Sequence, residues 1–331
     1  MRNQITVTGL VLLSSMGVFS QGAFAQLGTP QILQMELTNL VNYNNDNADV
    51  TKAATSSALT PSGPQNTFQD GTGLGDIVAV NGQPVKGTYV IRYTRLNTGP
   101  TLTTGQSIAD VTRAGLIFTW WEIQGLDGVT IGTITAQGFS RGTPPPGAPA
   151  LQTSANLVIT GGTGAFVGVR GFAGSTNPTV SVSNRSASFV EDPAYRRING
   201  GGTGASILTL YPAEKPQIVA ISHSDFSLVS AANPAKAGEI LVMVVTGLGP
   251  TRPGVDPGQP FPTSPLAAAN SPVAVTINGT AATLLAAVGY PKTTDGFQVN
   301  FEMPAGTAKG TAQVQVSAAW MAGPAFTINV Q

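Results

Sequence analysis

The sequence predicts an all-β protein of two domains, and three observations carry that prediction. Forty glycines and 24 prolines are spread through 331 residues, which leaves almost no stretch where a long helix could form. Where apolar residues recur, they mostly alternate with polar ones, as in a strand with one buried face. Turn-forming residues separate these short runs throughout, as they do in sandwiches and barrels.

Residues 1–25 read as an export signal. Arg2 gives a positive start, "ITVTGLVLLSSMGVF" an apolar middle, and Ala23-Phe24-Ala25 a small-x-small cleavage site. The apolar run is too short and too interrupted to anchor in a bilayer, so no membrane span is expected after cleavage near Gln26. The protein is therefore expected to be secreted, periplasmic or at the cell surface. Roughly 305 residues would remain, enough for two ordinary domains with cores of their own.

Composition excludes several function classes. Sixteen basic residues balance 16 acidic ones, and charged residues make up 10% of the chain, against roughly a quarter in an average soluble protein. Nothing in that balance draws the chain to nucleic acid or to an anionic membrane. With no cysteine there is no disulfide, thiolate metal site or thiol nucleophile. The surface is expected to be Thr, Ser, Asn, Gln and Gly, which also allows self-assembly through sheet edges.

The elements follow in order. In "QILQMELTNLV", Leu33, Leu37, Leu40 and Val41 fall at helical spacing, and a helix or a first strand remain equal alternatives. "NYNNDNADV" (42–50) reads as a polar loop whose Asn44, Asp46 and Asp49 also resemble a weak oxygen cluster for calcium. Residues 54–75, rich in Ser, Thr, Gly and Pro, read as a long loop. In "VKGTYVIRYTR", Tyr89, Ile91 and Tyr93 share one face of a strand, and Thr88, Arg92 and Thr94 the other. "AGLIFTWWEIQG" carries bulk on both faces and is expected to be covered on both. Asp127-Gly128 marks a hairpin tip, and "RGTPPPGAPA" (141–150) a stiff connection.

"LVITGGTGAFVGVRG" (157–171) imitates the glycine turn of a dinucleotide site. Such a turn must open a helix, whose aligned N–H groups hold the pyrophosphate. Here Gly171, Gly174 and Pro178 block one, and "GGTGASILTLYP" (201–212) repeats the glycines ahead of an obvious strand. Both are read as glycine turns or bulges at the rim of a sheet, and no cofactor is expected.

A seam falls at "YPAEKPQ", 211–217. Beyond it, Val273, Val275 and Ile277 form one apolar stripe. Phe297, Val299, Phe301 and Met303 form a second, and Phe326, Ile328 and Val330 a third. "EILVMVVTG", apolar on both faces, reads as a central strand of a sandwich.

Two resemblances rest on particular phrases. "LVITGGTGAFVGVRGFAG" and "EDPAYRRINGGGTGASILTLYP" resemble the glycine-rich and closing strands of the dirigent and allene oxide cyclase barrel superfamily. That resemblance implies an eight-stranded antiparallel barrel over 26–212, with an apolar substrate held in its cavity. "GEILVMVVTGLGPTRPGV", "SPVAVTINGTAATLLAAVGYP" and "DGFQVNFEMPAG" resemble the Ig-like C-terminal domain of secreted soil-bacterial, acidobacterial-type proteins. It implies an Ig-like sandwich over 213–331.

The candidate ligand-binding residues are Tyr89, Arg92, Tyr93, Trp120 and Glu122, with Arg95, Arg113, Arg170 and Trp121 considered beside them. Aromatics at period two are usually core, and an Arg on the polar face of a strand is usually solvated, so the bland reading of each is preferred. No catalytic residue is assigned. His223, the single histidine, stands near Asp225 without the "G-x-S-x-G" turn of a serine hydrolase. Zinc has too few ligands, and no metal is expected. The expected function is a non-catalytic binding or surface-associated protein, with a small apolar ligand or an extracellular or envelope protein as partner. The alternative is an isomerase, or a guide of radical coupling, acting on an apolar substrate in the barrel.

Overall fold

The computed structural model describes residues 29–46, 69–97, 113–140, 155–175, 183–185, 201–213 and 215–331. Among these residues every regular element is a strand.

The first ten are β1 (Gln31–Asp46), β2 (Gln69–Val80), β3 (Gln83–Pro84), β4 (Lys86–Asn97) and β5 (Arg113–Gln124), then β6 (Thr130–Ser140), β7 (Ala155–Gly164), β8 (Arg170–Ser175), β9 (Ser183–Arg185) and β10 (Gly202–Tyr211). Eight of them close on themselves in the order β2-β4-β5-β6-β7-β8-β10-β1, because β1 pairs with β10 on one side and with β2 on the other. All pairings around this ring are antiparallel, so the predicted eight-stranded antiparallel barrel is present.

The ambiguous first segment is strand β1, and its helical spacing has a structural cause. Leu33, Met35 and Leu37 alternate into the core. A bulge between Leu37 and Leu40, with Asn39 at φ 53°, then shifts the register so that Leu40 and Val41 are also buried. The same strand runs on to Asp46, so the predicted polar loop at 42–50 is extended backbone in its first half, and the side chains of Asn44, Asp46 and Asp49 lie outside the described ones.

The predicted loop over 54–75 is likewise corrected: β2 begins at Gln69. Gly71, Gly73 and Gly75 face Tyr93, Ile91 and Tyr89 of β4. A Cβ on Gly71 would come within 2.0 Å of Tyr93 Cζ, so the missing side chain is where the ring lies. Glycine is a poor strand former, but here cross-strand packing outweighs propensity.

The barrel interior is one apolar cluster. Trp121 and Phe166 are its largest members, and the indole Nε1 of Trp121 donates to Ser206 Oγ at 3.1 Å. Because β5 and β10 stand opposite each other in the ring, that bond crosses the lumen. The β5 strand is covered on one face, not two: Ile117, Thr119, Trp121 and Ile123 are buried, while Leu116 and Phe118 are 59% and 42% exposed. The glycine motif at 157–171 is the β7–β8 hairpin. Its turn, 165–168, is flanked by Gly164 (φ 61°) and closed by Gly168 (φ 72°), and it carries Phe166 into the barrel base.

The remaining strands are β11 (Gln217–His223), β12 (Ile240–Thr246), β13 (Thr251–Arg252), β14 (Ala268–Ala269), β15 (Val273–Ile277) and β16 (Thr280–Ala281), then β17 (Thr283–Gly289), β18 (Gly296–Glu302), β19 (Gly310–Ala318), β20 (Met321–Ala322) and β21 (Phe326–Val330). They make two open sheets, β11-β12-β18-β17-β14-β13 and β16-β15-β19-β20 with β21 on β19. The predicted stripes meet in one core: Phe297, Val299 and Phe301 from the first sheet, Val275, Val316 and Ile328 from the second. As expected, β12 is central, between β11 and β18.

The barrel has two different ends. At one, the turns are tight: Asn81-Gly82, Gly125–Val129 and Ala165–Val169. The open sheets pack under this end, with Ala319 and Met321 joining the barrel core and Trp320 Nε1 donating to Gln83 Oε1 at 2.8 Å. At the other end, the connections span 47–68, 98–112, 141–154 and 176–201 and fall almost entirely outside the described residues, as does the predicted stiff segment at 141–150.

Candidate functional site

Side-chain alternation sorts the predicted site residues onto two faces of the sheet. Tyr89 and Tyr93 point inward and pack on the core with Ile91. Tyr89 lies 6.0 Å from Trp121, ring centre to ring centre, and burial holds its phenol far above the ordinary tyrosine pKa. Arg92, Trp120 and Glu122 point outward. Arg92 is exposed, Trp120 stacks on Phe118 at 5.7 Å, and the Glu122 Oε1 accepts from Thr130 Oγ1 at 2.8 Å and Gln124 Nε2 at 3.0 Å. The five residues therefore do not form one constellation. Arg170 is exposed on β8, and the side chains of Arg95 and Arg113 lie outside the described ones.

The lumen is apolar with a thin polar seam. Besides the Trp121–Ser206 bond, it holds the Thr119 hydroxyl, which is fully buried and has no hydrogen-bond partner. Among the described side chains no charged group is buried there.

The outer face carries the larger feature. Register places Arg92, Phe118, Gln137, Val158 and Phe172 side by side on β4, β5, β6, β7 and β8. Across the first four of these strands runs a groove of about 980 Å³. Leu116, Phe118 and Val158 form its apolar floor, with Arg92, Gln137 and Thr160 among its polar lining. Val158 is 52% exposed and Phe172, just beyond the groove, 58%. The sequence reading singled out Arg92 but missed Leu116, Phe118 and Val158 as site residues. The usable signal was the alternation itself, which puts Leu116 and Phe118 on the face opposite Ile117.

The groove can bind but holds no catalytic apparatus among its described residues. It offers a cation, an amide and hydroxyls, without a nucleophile paired to a base. His223 is elsewhere, at the end of β11. Its Nδ1 lies 2.5 Å from Glu239 Oε1 and its Nε2 3.2 Å from the Asn233 carbonyl oxygen. Asp225 is turned away to Ser227, whose N–H and Oγ donate to its Oδ1, so His223 and Asp225 do not form the pair weighed from the sequence. Among the described residues no group of three His, Asp or Glu is placed to hold a metal ion.

No protein-family model, no curated protein and no solved structure matches the chain.

Proposed function

We propose that this chain is an exported, non-catalytic binding protein whose barrel holds a small apolar molecule in the groove over the outer face of β4–β7. The groove carries this reading. Its volume of about 980 Å³ falls at the upper end of small-molecule sites, and an apolar floor with a few polar groups is the usual lining. Single exposed apolar side chains are ordinary, but Leu116 and Phe118 share the outer face of β5, and Val158, beyond Gln137 on β7, lines the same groove. Covering them with an apolar ligand gains roughly 25 cal/mol for each Å² removed from water.

In this reading residues 26–212 are a dirigent-like and allene oxide cyclase-like unit, and residues 213–331 an Ig-like sandwich that contacts extracellular or envelope proteins. Two separate apolar cores support the division. The enzymatic alternative, an isomerase or coupling guide, needs a charged group aimed into the lumen. The described lumen side chains are aromatic, aliphatic, Met, Thr and Ser, with no buried charge among them, which favours binding over catalysis.

The test uses the full chain. Melting temperature is followed against panels of aliphatic alcohols, phenols and terpenoids, since a ligand that binds only the folded state must raise it. A saturable rise with one chemical class, abolished by Phe118→Asp, is the expected result. No rise with any class ends the reading.

A further inference from the structure

Resting on that reading of the groove, we infer that its ligand is an amphiphile with an anionic head, a carboxylate gripped by Arg92. Three observations carry this. Arg92 is the charged residue among the described groove lining, it is exposed, and no described residue makes a hydrogen bond or ion pair with it. A guanidinium stays charged at any physiological pH and presents a planar fork that fits a carboxylate with two parallel bonds.

The second observation is the position of the acids. Glu122 lies on the same outer face of β5, but Thr130 and Gln124 hold its carboxylate outside the groove. Asp225 and Glu239 belong to the open sheets. No described acidic side chain lines the groove to repel an anion or to neutralise Arg92.

The third is direction. Arg92 stands at the β4 edge, and its register partner on the next strand is Phe118, followed by Gln137 and Val158. Three strand spacings of roughly 4.8 Å make about 14 Å from the cation to the far wall. A head bound at Arg92 therefore sends its tail over Leu116, Phe118 and Val158. Gln137 and Thr160 can bond a mid-chain oxygen, which a plain hydrocarbon tail would leave unused.

The experiment compares dodecanoate with dodecanol on the full chain by isothermal titration, using wild type, Arg92→Gln and Phe118→Asp. The acid is expected to bind about fivefold more tightly than the alcohol, a preference of the size a partly exposed ion pair gives. Arg92→Gln should erase the preference by weakening the acid more than the alcohol, whereas Phe118→Asp should abolish binding of both. Equal affinities in wild type, or a preference that survives in Arg92→Gln, overturn the head-group inference while the groove stands. If neither compound binds wild type, the groove reading falls and takes this inference with it.

Discussion

The indole of Trp121 on β5 donates to the hydroxyl of Ser206 on β10, 3.1 Å away across the barrel, and both residues are buried. This ties opposite walls of the barrel together where no backbone ladder can. Ser206→Ala leaves the indole N–H buried without an acceptor, and the expected cost is about 1–3 kcal/mol. Urea denaturation measures it, with the slope unchanged. A stability equal to wild type would mean that water already serves the indole.

Gly71 and Tyr93 make a second pair, in which the ring occupies the space of the missing side chain. Gly71→Ala must displace that ring and should cost about 1–3 kcal/mol. Gly174, with open space where its Cβ would go, provides the control, and Gly174→Ala should stay within about 0.5 kcal/mol of wild type. Thermal denaturation of the two variants side by side separates crowding from loss of backbone freedom.

The junction under the barrel should depend on apolar packing and not on its surface ion pair. Met321 is buried in the barrel cluster although it belongs to the open sheets. Met321→Ala should cost about 2–5 kcal/mol. Arg252 and Asp127 also meet at the junction, at 2.6 Å, but both side chains are more than half exposed. Arg252→Ala should leave the unfolding midpoint unchanged. The same packing predicts that a fragment ending near residue 215 melts well below the full chain.

His223 gives a pH dependence of known sign. Both ring nitrogens face acceptors, and a neutral imidazole can donate to one of them only. The hydrogen bond to Glu239 raises the folded pKa above the ordinary histidine value. The contribution is complete below about pH 6.5, the unfolded value, and is lost as pH rises through the folded one. Wild type should therefore lose midpoint stability relative to His223→Gln as pH rises above about 6.5, the unfolded value. A proton NMR titration of this single histidine checks the pKa directly.

Much of the fold was legible because strand period and turn chemistry are local. Tyr89, Ile91 and Tyr93 and the stripes of the open sheets followed from alternation, and the Asp127-Gly128 tip from turn chemistry. What failed depended on partners far along the chain. The β1 bulge at Leu37–Leu40 copied a helical spacing, and Gly71, Gly73 and Gly75 looked like a loop until Tyr93, Ile91 and Tyr89 stood opposite them. The candidate site was half legible for the same reason. Arg92 and Trp120 were marked, but their separation from Tyr89 and Tyr93 by the sheet itself only emerges once the barrel closes.

Whether the ligand sits outside the barrel wall is decided by photo-crosslinking. A fatty alcohol carrying a diazirine is irradiated with the full chain, and labelled residues are mapped by mass spectrometry. Label is expected on Leu116, Phe118 and Val158, competed away by unmodified alcohol. Label confined to lumen residues such as Leu33, Ile134 or Tyr89 would instead return the ligand to the barrel interior.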